Sequence, residues 1–276
     1  MLRKYLAAAI QLDSQEDKAE NLKAIASFID EAAGRGAKLV GLPECMSYCG
    51  REEGVRKSAE PIGGETTKLL CEKAKKHGIW LQGGSFNETV EGETRVYNTT
   101  LLVNPKGEIA AVYRKMHMFD VEVASGPSYK ESNAILPGNE IVVADTDLGK
   151  IGLSICYDIR FPELYRIMVQ QGAQIFFASA AFTLFTGRDH WEPILRVRAI
   201  ENGCYMIAPG QMGKKTTLQM QGKSIIVDPW GNVVAKASDY PGVIVAEIDL
   251  DQVDSVREQI PALKNRRDDV YAKYSQ

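Results

Sequence analysis

Gly149-Lys150-Ile151-Gly152-Leu153-Ser154-Ile155-Cys156-Tyr157-Asp158-Ile159-Arg160-Phe161-Pro162-Glu163-Leu164 is the stretch from which the fold can be read. Ile151, Leu153 and Ile155 make an apolar run of strand length, and Pro162 followed by Glu163 opens a helix, because proline fits the first turn and a carboxylate suits the dipole there. Cys156 therefore stands where a strand turns into a helix. Such a turn lifts a sulfur clear of the sheet and leaves backbone N–H groups facing a developing oxyanion. A buried structural cysteine is the competing reading, since free cysteine packs as a small hydrophobe.

Working outward, strands and amphipathic helices alternate. Tyr5 to Leu12 reads as a strand, and Leu22, Ile25, Ala26, Ile29, Ala32 and Ala33 follow helical spacing up to Gly34 and Gly36. Ala37 to Leu42 is the next strand, ending at Pro43-Glu44-Cys45. Thr66 to His77 is a helix with Leu69, Leu70 and Ala74 inward, stopped by Gly78, and Ile79 to Gly83 is a strand. Asn98 to Val103 and Ile109 to Tyr113 flank the hairpin turn Asn104-Pro105-Lys106-Gly107.

The second half repeats this unit. A helix from Pro162 to Gln171 turns Leu164, Ile167 and Met168 inward, and the strand Gln174 to Ala178 follows. A helix from His190 to Asn202 turns Trp191, Ile194 and Leu195 inward, and Cys204 to Ile207 is the strand after it. Gly36-Ala37 matches Gly172-Ala173, Gly78-Ile79-Trp80 matches Gly203-Cys204-Tyr205, and Val103 to Ala111 matches Val227 to Ala235. Three matches in one order indicate internal duplication. The fold class expected is α/β: a four-layer αββα sandwich of two mixed-sheet halves, each sheet covered by helices on one face. One domain spans residues 1–276, with a first half 1–113, a connector 114–150 expected to be largely irregular around Gly126, Pro127, Pro137 and Gly138, a second half 151–249, and a tail 250–276 of little periodicity that packs on a neighbouring subunit.

Composition narrows the function. Hydrophobic residues at 45% and charged residues at 25% are ordinary for a globular chain, and a net charge of −3 disfavours nucleic acid as partner. No apolar run reaches membrane-spanning length, and the N-terminal apolar run ending at Gln11 is short for a secretory signal. Five scattered cysteines and three histidines fit neither a disulfide framework nor a zinc site; Cys45 and Cys49 are one helical turn apart, but their pairing is disfavoured. A reducing, cytoplasmic setting is expected. Gly222-Lys223-Ser224 resembles the end of a phosphate-binding loop, but Thr217 stands where that loop needs glycine.

A thiol nucleophile needs a base. His77, His117 and His190 leave a Cys/His pair open on spacing alone. Glu44, at the end of a strand expected beside the cysteine strand, is a second candidate, workable if burial raises its pKa. Lys115 and Glu131, taken singly, read as solvated charges.

Leu42-Pro43-Glu44, Tyr113-Arg114-Lys115-Met116-His117 and Ile155 to Leu164, in this order, closely resemble the three signature blocks of the nitrilase superfamily of carbon–nitrogen hydrolases. The similarity covers essentially the whole chain. His190-Trp191-Glu192, Val227-Asp228-Pro229-Trp230-Gly231 and Arg266-Arg267 resemble the Nit-type amidases within it. The resemblance implies a Glu44–Lys115–Cys156 triad, an oxyanion held by Lys115 and the Tyr157 backbone N–H, and a second glutamate at Glu131, with no metal or organic cofactor. It further implies a small-molecule amide substrate, such as deaminated glutathione or an ω-amide like 2-oxoglutaramate, and a homodimer or higher homo-oligomer. An N-carbamoyl amide hydrolase or nitrilase would use the same triad, and a scaffold that lost the chemistry is the non-enzymatic alternative. Carboxylate-bearing substrates call for a cation in the pocket, with Arg160 and Arg188 as candidates and Phe182 as a wall. Gly187-Arg188-Asp189 and Gly222-Lys223-Ser224 depart from the Gly-Pro-Ala and Gly-His-Ser of many relatives, which bears on substrate choice.

Overall fold

Alternating side chains decide how the first sheet packs. In the strand Lys4–Gln11, Ala7 and Ala9 belong to one buried cluster and Ala8 and Ile10 to another, and the same division separates Leu39 from Val40, Trp80 from Leu81, and Leu102 from Leu101 and Val103. One face meets Leu22, Ile25 and Ile29 of the helix Lys18–Gly34 and Leu70 and Ala74 of the helix Glu65–His77. The other face meets a second sheet. The computed structural model describes residues 2–122, 128–216 and 218–274, so Gly126, Pro127 and Thr217 lie outside the described residues.

In the second sheet Ile151, Leu153 and Ile155 face the first sheet, while Gly152 lies against Met168 and the Ser154 hydroxyl is 2.7 Å from that of Tyr165, both on the helix Pro162–Gln170. Helix, sheet, sheet and helix therefore stack in the expected αββα order. Gly41 marks the closest approach of the sheets: a Cβ there would lie 2.4 Å from the Phe177 ring and 3.1 Å from Pro209. Gly41→Ala is expected to destabilise the protein by about 1–3 kcal/mol through overpacking, read from urea midpoints.

The duplication is visible as topology. In the first sheet Gly242–Asp249 pairs antiparallel with Lys4–Gln11, which runs parallel to Leu39–Gly41 and that to Trp80–Gln82; Val96–Val103 and Ile109–Arg114 follow antiparallel. The second sheet repeats these senses with Val143–Thr146, Gly149–Ile155, Ile175–Ser179, Tyr205–Ala208, Ile225–Val227 and Val233–Lys236. Both hairpins shift register at the same place, at Leu102/Val103 and at Ile226/Val227. Gly78 and Gly203 close their helices with φ of 61° and 55°, a left-handed conformation that favours glycine.

Several elements differ from expectation. The connector is not irregular: Asp120–Glu122 pairs with Ser128–Lys130, Ile135–Leu136 joins the first sheet, and Val143–Thr146 forms an edge of the second. Gly242–Asp249, placed by sequence in the second half, is an edge strand of the first sheet. After it, the tail forms a helix, Leu250–Gln259, capped by the Asp249 carboxylate, which buries Leu250, Val253 and Val256 at i, i+3, i+6, the first two within the chain's own core. The helix expected from His190 begins at Leu184 and carries Pro193 inside it, and Ile167 is exposed where it was expected inward. A further short helix, Glu52–Ser58, was not anticipated.

Candidate active site

Four chain segments end at one place. Glu44 follows the strand Leu39–Gly41, Lys115 follows Ile109–Arg114, Cys156 follows Gly149–Ile155, and Glu131 opens a 3₁₀ turn, Glu131–Asn133. Glu44 comes from the facing sheet rather than from the strand beside the cysteine. The two sheets are tied there by the Ser179 hydroxyl, which donates to the Leu42 carbonyl at 2.7 Å.

The Lys115 ammonium lies 3.0 Å from Glu44 Oε1 and 2.8 Å from each Glu131 oxygen, all three side chains being buried. Asn98 Nδ2 donates to Glu44 Oε1 at 2.9 Å, the Ala181 backbone N–H to Glu44 Oε2 at 2.6 Å, and the Phe119 N–H to Glu131 Oε2 at 2.6 Å. Asn98 and Ala181 are site residues that sequence reading missed, since nothing in their spacing ties them to Glu44. Burial pulls Lys115 down, but the Glu131 and Glu44 carboxylates outweigh it and hold the ammonium well above an ordinary lysine. Burial raises Glu131, against the pull of Lys115. Burial, and then the Glu44 charge, push the Cys156 thiol well above an ordinary cysteine.

That pairing has a measurable sign. Alkylation of Cys156 by iodoacetamide, followed on its peptide by mass spectrometry, is expected to rise only well above neutral pH. In Glu44→Gln the midpoint is expected to fall, because a charge that opposes the thiolate is gone. An unchanged midpoint would place the carboxylate out of electrostatic reach of the sulfur.

Cys156 has φ of 47°, a left-handed conformation that costs a non-glycine residue roughly 1–2 kcal/mol. Asp158 holds the turn in place. Fully buried, its carboxylate accepts from the Ile155 N–H at 2.8 Å, the Tyr113 hydroxyl at 2.6 Å and the His117 N–H at 3.1 Å, and lies 2.7 Å from His117 Nδ1. The His117 ring stacks on Phe161 at 3.6 Å. These contacts close the Cys/His alternative: His117 serves Asp158, His77 pairs with Asp30, and His190 lies beside Arg160. Cys156 opens a 3₁₀ turn, Cys156–Arg160, whose first N–H groups, that of Tyr157 included, have no partner within the turn.

A cleft opens over Cys156, lined by Glu44, Lys115, Glu131, Tyr157 and Phe182 among others. Arg160 is not among the residues lining the cleft; its guanidinium lies 5.2 Å from the Phe182 ring centroid and 5.9 Å from that of Tyr157, both of which do line it. Arg188 is a correction: its side chain is 65% exposed, pairs with Asp189 and stays away from the cleft, because the helix that carries it turns Gly187, not Arg188, inward. The cation that does line the cleft besides Lys115 is Lys215, which sequence reading missed. Cys45 and Cys49 also line it; both are free thiols, and the neighbouring Cys45 thiol, ahead of the Lys215 charge, lowers Cys49. Among the described residues no group of three or more His, Cys, Asp or Glu side chains is placed to hold a metal ion.

A sequence model of the family described as carbon-nitrogen hydrolase matches residues 6–258. The chain belongs to the carbon–nitrogen hydrolase family. It is 43% identical to a deaminated glutathione amidase of Synechocystis over 269 residues, covering 96% of this chain and 99% of that protein. It is 39% identical to an omega-amidase of Danio rerio, covering 98% of each. The C. elegans NitFhit protein superposes with a TM-score of 0.92 at 38% identity, over 97% of this chain and 66% of that longer one. The chain is a hydrolase acting on carbon–nitrogen bonds.

Proposed function

We propose that this carbon–nitrogen hydrolase cleaves the primary carboxamide of a small carboxylate-bearing acid, releasing ammonia through a thioester on Cys156. Cys156 Sγ attacks the amide carbonyl carbon while its proton passes to Glu44. The Lys115 ammonium and the Tyr157 N–H hold the oxyanion. Collapse breaks the C–N bond, the proton on Glu44 goes to the leaving nitrogen, and an acyl thioester remains. Glu44 then takes a proton from water, the hydroxyl adds to the thioester, and the acid departs as the proton returns to sulfur. Glu131 positions Lys115 rather than exchanging protons.

The observation that carries this reading is the buried contact of Lys115 with both glutamates beside a thiol that is protonated at rest. A thiol with so little standing thiolate requires a base at the moment of attack, and Glu44 lines the same cleft and is close enough for its charge to act on the sulfur. The relatives' names, deaminated glutathione amidase and omega-amidase, favour a small acid amide over a carbamoyl compound or a nitrile.

The test is ammonia release from deaminated glutathione, 2-oxoglutaramate, an N-carbamoyl amino acid and a simple nitrile. Turnover of either of the first two supports the proposal and selects between them. Turnover confined to the last two keeps the cysteine chemistry and discards the substrate class. Silence on all four favours the scaffold alternative.

We further propose a homodimer in a reducing, cytoplasmic compartment. The reading is supported by exposed Val197 and Ile200 on the helix Leu184–Asn202 with Trp230 and Ile260 nearby, and by five free cysteines; among the described residues no helix is long and apolar enough to cross a membrane. A fully active monomer on sizing would overturn the dimer.

A further inference from the structure

Two glutamates and two lysines face the cleft: Glu44, Glu131, Lys115 and Lys215. Lys115 is engaged by both glutamates at 2.8–3.0 Å, so those three groups together carry one negative charge. An anionic substrate entering a cleft with only those charges would be repelled. Lys215 is the other cation lining the cleft, shared with Asp13, and it stands with the apolar side chains of Leu218 and Met220 in that lining, where a charge acts over a longer range than in water.

The Lys215 side chain is 1% exposed, and its ammonium lies 2.5 Å from Asp13 Oδ1. Asp13 in turn accepts from Gln15 Nε2 at 2.7 Å and is 37% exposed, so water as well as Lys215 solvates it. An ammonium carries three donors. Lys215 gives one to Asp13 and, among the described residues, makes no other side-chain hydrogen bond.

We propose that Lys215 is the carboxylate anchor of the cleft, binding a substrate carboxylate remote from the scissile amide, with Asp13 holding the ammonium in place and competing for it. The inference rests on the amidase reading and deepens it: the specificity of the site for acid amides over neutral ones lies in Lys215, with Arg160 and Arg188 outside the contact. A point-charge ammonium also tolerates carboxylates at several orientations, unlike a guanidinium fork, which suits substrates of differing length.

Two assays on the full-length protein test it. The first compares kcat/KM for 2-oxoglutaramate with that for a neutral amide of similar length, such as butyramide. Lys215→Met is expected to lower this ratio at least tenfold, mainly through KM for the acid amide, with Lys215→Arg recovering part of it. Asp13→Asn, which removes the competitor, is expected to move KM for the acid amide the other way, down about threefold or more. A ratio that Lys215→Met leaves intact, or a KM that Asp13→Asn raises, overturns the proposal.

The second assay is calorimetric binding of glutarate, a dicarboxylate that needs no turnover, and it reads Lys215 even if the amidase reading fails. Binding weakened at least tenfold by Lys215→Met in a protein that releases no ammonia from any amide would retain the anchor and discard the amidase. Ammonia release with glutarate binding indifferent to Lys215 would do the reverse. Far-UV circular dichroism and a urea midpoint on each variant separate a lost anchor from a lost fold.

Discussion

Cys156→Ala is expected to lower kcat/KM for the acid amide by about 10⁴-fold or more while the urea midpoint moves little. The substitution removes one sulfur atom and leaves the backbone in the same left-handed turn, still held by the four contacts of Asp158. Without the sulfur no thioester forms. What remains is water attack assisted by Lys115 and the turn's N–H groups, and such residual catalysis lies orders of magnitude below the complete site. Intact mass spectrometry supplies an independent check: wild type quenched in acid during turnover gains the acyl mass, and the variant does not. A variant that keeps a tenth of the activity would move the nucleophile away from Cys156.

Lys115→Met is expected to damage stability and activity together, and this separates it from the cysteine change. Its ammonium is the buried counter-charge of two buried carboxylates, so its removal leaves Glu44 and Glu131 facing one another without compensation. Breaking such a pair costs about 3–5 kcal/mol, and loss of an oxyanion donor costs about 10²–10³ in kcat.

The pH dependence has a definite sign. Glu131 is already raised by burial, and losing Lys115, which lowers it, raises it further. A carboxyl raised in the folded state contributes stability below its unfolded pKa and loses it as pH rises through the folded one. The stability gap between variant and wild type is therefore smallest near pH 5 and widens toward pH 8. In wild type the raised Lys115 adds no slope over that range, because its contribution is lost only as pH rises through its own elevated pKa. Urea titrations of both proteins at the two pH values check this, and a gap that narrows on going to pH 8 would contradict the buried charge assignment.

Much of the fold was legible because its signals are local. The strand-to-helix turn at Cys156, the glycine stops at Gly78 and Gly203 and the two hairpins each follow from a few adjacent residues, and their repetition carries the duplication. The site was legible only in part. Cys156 stands out by its place in the chain, whereas Lys115 and Glu131, 16 residues apart across the connector, look like ordinary charges until the resemblance groups them. Lys215 could not be read at all: its partner Asp13 is 202 residues away, brought to it by the packing of the sheets. Arg188 shows the converse case, a cation chosen because carboxylate-bearing substrates call for one, with no local rule to say that Gly187 takes the inward position. The helix Leu184–Asn202 begins six residues before the His190 expected from sequence; Gly187 and Pro193 both discourage helix, yet buried Trp191, Leu195 and Ala199 provide the packing that overrides those preferences.

The two sheets also differ in when they can be completed. Every strand of the second sheet lies between Val143 and Lys236, a continuous segment that closes as it is synthesised. The first sheet begins with Lys4–Gln11 and waits for Gly242–Asp249 to cover that strand's edge. At roughly 5–20 residues per second, the roughly 230 residues between them take about 10–50 s on the ribosome. Over that interval the nascent chain holds an unpaired, largely apolar strand edge, the feature through which one chain adds to another. A ribosome that stalls before residue 242 releases a polypeptide carrying all four residues of the Cys156 cluster and an adhesive first sheet, so the late strand makes full-length synthesis a condition of solubility as well as of shape.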